Sequence, residues 1–239
     1  LFFKFFLKRA DKIIVVSETI KKEILKYFNT LKVKVIYNTI DLNLFKNIPS
    51  RDIKIIKKKY NLPNKFIMTV GHQEKRKNYL RLIKAIKILK KNDKNIFLVI
   101  VGQKADETKK IYKLIKSLNL NSNLKIFSNL NDFELRCFYK LADLFVFPSI
   151  YEGFGIPILE SMAANTPMTI SNTEVFREIT LDQGVYFDPF DPLSIATKIK
   201  YVLSEKSVKK RIINFGKKRI KLFTLSSQKK NIIDLYKSI

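Results

Sequence analysis

Between Pro148 and Glu160 the chain reads Pro-Ser-Ile-Tyr-Glu-Gly-Phe-Gly-Ile-Pro-Ile-Leu-Glu, placing Glu152 and Glu160 on either side of a Gly153-Phe154-Gly155 core. Gly153 and Gly155 let backbone approach a ligand with no Cβ in the way. Pro157 is expected at the first position of a helix, where its missing N–H would be unpaired in any case. The free amides of such a turn, with the helix dipole behind them, form an anion site. Glu160 falls about one turn into that helix, where a carboxylate can accept hydrogen bonds from hydroxyls. Glu152 belongs to the loop before it. Asn165 follows the helix at the position where a left-handed cap is expected. The bare pattern also suits an ordinary strand–turn–helix junction, with Glu152 a loop charge and Glu160 a solvated helix residue.

The elements around this segment alternate short β-branched runs with amphipathic stretches, which predicts an α/β fold with a parallel sheet. Strands are expected at 13–16, 33–37, 66–70, 96–101, 124–127, 144–147, 168–170 and 185–187. Helices are expected at 19–28 (capped by Ser17), 80–91, 108–118, 132–141 (capped by Asp132), 157–164, 192–203, 206–222 and 226–236. Residues 38–50 lose periodicity and contain Pro49, so they read as a linker. A doubly wound sheet places ligands beyond the carboxyl ends of its strands, so loops at Gly71, Gly102, Phe127 and Pro148 should line one crevice.

The chain has 239 residues, one cysteine and a formal charge of +26. The lone Cys137 leaves no internal disulfide framework and fits a reducing compartment. No apolar run reaches the length of about 20 residues that a membrane span needs. Leu1–Leu7 is rich in Phe but lacks the cleavage signature of a signal peptide. Lysine far outnumbers arginine and is spread over helix faces, whereas specific nucleic-acid readers favour arginine. The charge is therefore read as solvated faces. An anionic membrane surface is an additional expected partner and nucleic acid is not.

The full string around Glu152 and Glu160 resembles the donor-site signature of retaining glycosyltransferase family four, the glycosyl transferases group 1. The resemblance extends to Ala10–Ser17, Val35–Asp41, Val70–Asn78, Tyr139–Ser149 and Tyr186–Pro192. It implies a GT-B type fold: a Rossmann-like doubly wound parallel sheet for nucleotide-sugar binding, here with only a remnant of the N-terminal Rossmann-like domain. The expected division is residues 1–45 as remnant and hinge, 46–225 as donor domain, and 226–239 as a helix crossing back. A chain opening on Leu rather than Met is expected to be incomplete.

By the same resemblance, Lys77 binds the donor diphosphate and offsets charge on the leaving group, and Glu152 faces the transferred sugar or its phosphate. These two are the expected catalytic residues. Glu160 takes the ribose hydroxyls, and the backbone of Gly153, Phe154, Gly155 and Ile156 meets phosphates and sugar. Gly71, His72 and Arg76 belong to the phosphate loop, while Gly102, Ser128 and Asn129 lie by the nucleoside. Many members carry arginine where this chain has His72. An unperturbed imidazole is mostly neutral at pH 7, which shifts weight onto Arg76 and Lys77.

The implied reaction moves a sugar from a nucleoside diphosphate sugar to a glycan or lipid-linked acceptor with retention, in cell-envelope polysaccharide synthesis. No Asp-x-Asp motif and no His/Cys cluster is evident, so no metal or cofactor is expected. The setting is cytoplasmic, or peripheral on the inner membrane face. The chain alone is expected to bind donor weakly, with the missing N-terminal domain or a partner subunit supplying the acceptor side. The alternatives are a noncatalytic donor-binding subunit and a basic protein acting through charge.

Overall fold

The structure is a computed structural model that describes residues 9–28 and 32–237. The Phe-rich stretch with Phe2, Phe3, Phe5 and Phe6 lies outside the described residues. Strands β1 (Ile13–Val15) and β2 (Val33–Val35) pair in parallel and are linked through helix α1 (Glu18–Tyr27). Helices α2 (Asn43–Lys46) and α3 (Ser50–Lys59) follow. Then come β3 (Ile67–Val70), α4 (Tyr79–Lys90), β4 (Leu98–Val101), α5 (Thr108–Ser117), β5 (Leu124–Phe127), α6 (Asp132–Leu141) and β6 (Leu144–Phe147). The chain continues through α7 (Ile156–Ala164), β7 (Met168–Ser171), α8 (Glu174–Thr180), β8 (Tyr186–Phe187), α9 (Pro192–Ser204), α10 (Lys206–Arg219) and α11 (Leu225–Tyr236).

Six strands form one parallel sheet in the order β5-β4-β3-β6-β7-β8. From β3 the chain winds outward to β5, then crosses back to lay β6 on the other side of β3. That reversal is a topological switch point, and it opens a crevice between the carboxyl ends of β3 and β6. Every residue of β4 and β6 is buried. Helices cover both faces of such a sheet, which is why these strands read as unbroken apolar runs.

Several sequence expectations are corrected. Asn131, not Asp132, caps α6: its side chain accepts from Glu134 N, and Glu134 accepts in return from Asn131 N, a reciprocal capping box. Pro157 is the second helical residue, because α7 opens at Ile156. The segment expected as a linker holds α2 and leads at Ser50 into α3, with Pro49 as the N-terminal cap position rather than a break. Helix α8 was not anticipated. The stretch expected as one helix to Leu222 turns at Arg219 into a 3-10 turn, Ile220–Phe223. Ser17 does cap α1, accepting from Ile20 N, and Asn165 ends α7 at φ 60°.

Candidate functional site

The loop after β3 begins at Gly71, whose φ is 145°. Lys77 runs beneath it: a Cβ at Gly71 would lie 2.7 Å from Lys77 Cε. Gly102, at the end of β4, is packed closer still, since a Cβ there would fall 1.8 Å from the Gly71 carbonyl oxygen. Gly102 is therefore required by backbone contact with the neighbouring loop, and Gly71 by its own φ. The Gly71 carbonyl is held by the Tyr79 hydroxyl at 2.8 Å. Gln73 ties the same loop to the loop after β4, donating from its amide to Gln103 O at 2.9 Å and from its side chain to Gly102 O at 3.2 Å.

The loops after β3 and β6 are sewn together across the switch point. Ile150 N donates to Arg76 O at 2.9 Å. Asn78, left-handed at φ 59°, donates from its side-chain amide to Pro148 O at 3.0 Å and to Pro189 O at 2.6 Å. This sewing presents a charged cluster. Glu152 accepts from Lys77 Nζ and from the Arg76 guanidinium, both at 2.6 Å, and Arg76 also pairs with Glu74 at 2.7 Å. Lys77 is only 6% exposed, and its ammonium lies 5.1 Å from the centre of the Phe147 ring. Charge-assisted bonds of this length in a shielded crevice hold their geometry strongly.

Beyond Glu152 the chain turns through Gly155, at φ 147°, into α7. The N–H groups of Phe154, Gly155 and Ile156 donate to no other group among the described residues. The first turn of α7 carries no acidic residue. Its positive dipole end is thus uncompensated. The Phe154 ring points away into an aromatic trio, 6.0 Å from Tyr37 and 5.8 Å from Phe223. Burial, followed by the nearby Glu178 carboxylate, pushes the Tyr37 hydroxyl up to about 12.

Glu160 lies half-buried on α7 and accepts from the Tyr139 hydroxyl at 2.8 Å. Burial raises its pKa, while the Tyr139 hydrogen bond acts in the opposite direction. Ser128 and Asn129 follow β5, and His72 is exposed in the loop after β3. The structure thus brings Arg76, Lys77 and Glu152 into direct contact, while Glu160 has a separate partner and no bond to that cluster. Glu152 also lines a cleft of about 650 Å³ between α1 and α8, together with Tyr151, Glu178 and Arg177. A concavity of about 610 Å³ at the amino-terminal ends of the central strands, around Phe66, Ile96 and Lys200, holds none of these residues. Among the described residues no three His, Cys, Asp or Glu gather as a metal centre. No helix among them is long and apolar enough to cross a membrane.

Spacing alone did not reveal Asn78, Tyr139 or Glu178. Asn78 had a readable signal, an Asn directly before a helical run. The other two act through partners distant in sequence.

Two family models match in tandem: "Glycosyltransferase Family 4" over residues 1–44 and "Glycosyl transferases group 1" over residues 50–219. The O-antigen chain mannosyltransferase RfbU of Salmonella typhimurium is 31% identical over 207 residues, covering 84% of this chain and 54% of that protein. An uncharacterized glycosyltransferase of Methanocaldococcus jannaschii is 34% identical over 240 residues, covering 95% of this chain and 60% of that protein. The chain therefore spans little more than half the length of these relatives. Among solved structures, Anabaena HepE in complex with UDP-glucose shares the fold at a TM-score of 0.85 and 21% identity, over 96% of this chain and 64% of that one.

Proposed function

The chain belongs to the glycosyl transferases group 1, and from that premise we propose that it is the donor-binding part of an enzyme moving a sugar from a nucleoside diphosphate sugar to a glycan or lipid-linked acceptor. The setting is cell-envelope polysaccharide synthesis, in keeping with the O-antigen mannosyltransferases among its relatives. Retention of configuration is carried over from the signature that Glu152 and Glu160 resemble.

The observation that carries the reading is the cluster at the switch point. Two cations, Arg76 and Lys77, are held by Glu152, which precedes by two residues the unpaired amides of 154–156 at the start of a helix with no acidic residue in its first turn. A diphosphate satisfies all of these donors at once. As the glycosyl bond breaks, charge grows on the leaving diphosphate, and preorganised cations and amides stabilise it there more than in the ground state. Glu152, released from the cations by the incoming phosphates, turns its carboxylate to the transferred sugar. Glu160 accepts from the ribose hydroxyls. His72, exposed in the loop after β3, contributes a hydrogen-bond donor. Gly71, Gly102 and Asn78 keep the loops at the required separation.

A narrower reading is a donor-binding subunit that works with a separate acceptor domain. Both readings predict donor binding. A thermal-shift panel of UDP-, GDP- and dTDP-sugars tests it. Ligand at 100 times its Kd adds about 2.7 kcal/mol, a rise in Tm of about 5–10 °C for a chain of this size. No shift with any nucleotide sugar, from a chain shown to be folded, would overturn the assignment.

A further inference from the structure

Helix α1 has two means of satisfying its amino-terminal amides. Ser17 accepts from Ile20 N in the ordinary local way. The amides before it are served from far away: Glu178 Oε1 accepts from Glu18 N at 2.8 Å, and Glu178 Oε2 accepts from Thr19 N at 2.9 Å and from the Thr19 hydroxyl at 2.7 Å. A local residue could cap those amides equally well. A carboxylate borrowed from α8 does something a local cap does not, which is to fasten two units separated by about 160 residues of chain. The carboxylate also sits at the positive end of the α1 dipole, which favours the pairing.

The same fastening reaches the signature loop. Ser17, fully buried, donates to Gly153 O at 2.8 Å. Tyr37, downstream of β2, packs its ring 6.0 Å from Phe154 with its hydroxyl near the Glu178 carboxylate. Arg219 steadies α8 from behind, donating to Ile179 O at 2.8 Å and Glu178 O at 3.2 Å. Residues flanking the free amides of 154–156 are therefore held from outside their own domain: Gly153 by its carbonyl, Phe154 by its ring.

We infer that Glu178 is a positioning residue, clasping the β1–α1 unit to α8 and thereby fixing the loop that presents the amides of Phe154, Gly155 and Ile156. Its consequence for ligand affinity rests on the proposed donor-site reading; its consequence for loop order does not.

Hydrogen exchange and UDP titration on the intact chain test this with Glu178→Ala and Glu178→Gln. In Glu178→Ala, exchange at 18–19 rises roughly tenfold, as for loss of a strong cap. Exchange at Ile158, whose amide donates to Gly155 O, rises with it, β3 and β6 stay protected, and UDP affinity falls severalfold. Glu178→Gln keeps one acceptor oxygen and recovers part of both effects. If exchange rises at 18–19 while Ile158 stays as in the parent, Glu178 is only a helix cap and the inference fails. If the loop loosens but the parent chain binds no nucleoside diphosphate, the clasp stands and the donor-site reading falls.

Discussion

Lys77 Nζ lies 2.6 Å from Glu152 Oε1, joining the loop after β3 to the loop after β6. Both side chains are largely shielded, so removing either partner leaves the other charge poorly compensated. The two removals should nevertheless differ in ligand binding. Lys77→Met takes away a cation the diphosphate needs, and UDP affinity should drop at least tenfold. Glu152→Gln takes away the group that competes with the diphosphate for Lys77 and Arg76, so UDP should bind as well or better while sugar transfer by the two-domain enzyme collapses. Calorimetric titration with UDP, beside a transfer assay, separates the two.

The loop contacts predict a stability effect at Gly102. An alanine there places its Cβ 1.8 Å from the Gly71 carbonyl, so backbone must move. Gly102→Ala should destabilise by about 3 kcal/mol, within the tail reserved for backbone strain and overpacking. For a chain of this length that is a fall in Tm of about 6–12 °C, read by thermal unfolding. Alanine at Gly153, whose nearest neighbour to an added Cβ is 3.8 Å away, should leave Tm nearly unchanged.

Glu160 predicts a pH dependence with a definite sign. Burial raises its pKa in the folded chain above the unfolded value. The folded state therefore holds the proton more tightly, and this contribution to stability is present below the unfolded pKa and lost as pH rises through the folded one. Glu160→Gln removes the titration and keeps an acceptor for Tyr139. The variant should match the parent near pH 4 and be more stable at pH 8, as checked by urea unfolding across that range. Ribose hydroxyls favour the ionised carboxylate, so nucleoside binding should release protons between those limits.

His72 is exposed at the lip of the phosphate loop, where a permanent charge would strengthen diphosphate binding. His72→Arg should raise UDP affinity about three- to fivefold at pH 8, the upper range of an exposed ion pair. The gain should shrink with added salt. An unchanged affinity would place His72 outside the site.

Much of this fold can be read in the chain because its strands are buried on both sides. Leu98–Val101 and Leu144–Phe147 are unbroken apolar runs and could be placed to within two residues. Helix α8 escaped because it is seven residues long and opens on polar Asn172 and Thr173, which read as loop. Helix α3 escaped because a single residue, Ile56, is buried on a lysine-rich helix, so no apolar stripe shows. In the candidate site, Glu152 and Glu160 were visible as a spacing. Their partners were not, since Lys77 lies 75 residues from Glu152 and Tyr139 lies on another helix. The Glu178 clasp joins residues 160 apart in the chain, and no local pattern carries it.

The position of a bound diphosphate tests the central claim most directly. A crystal structure of the chain soaked with a nucleoside diphosphate sugar should show the phosphates within hydrogen-bonding distance of Lys77 Nζ and the amides of 154–156, with the ribose at Glu160. Density for the nucleotide at any other place on the molecule, with Lys77 still paired to Glu152, would contradict it.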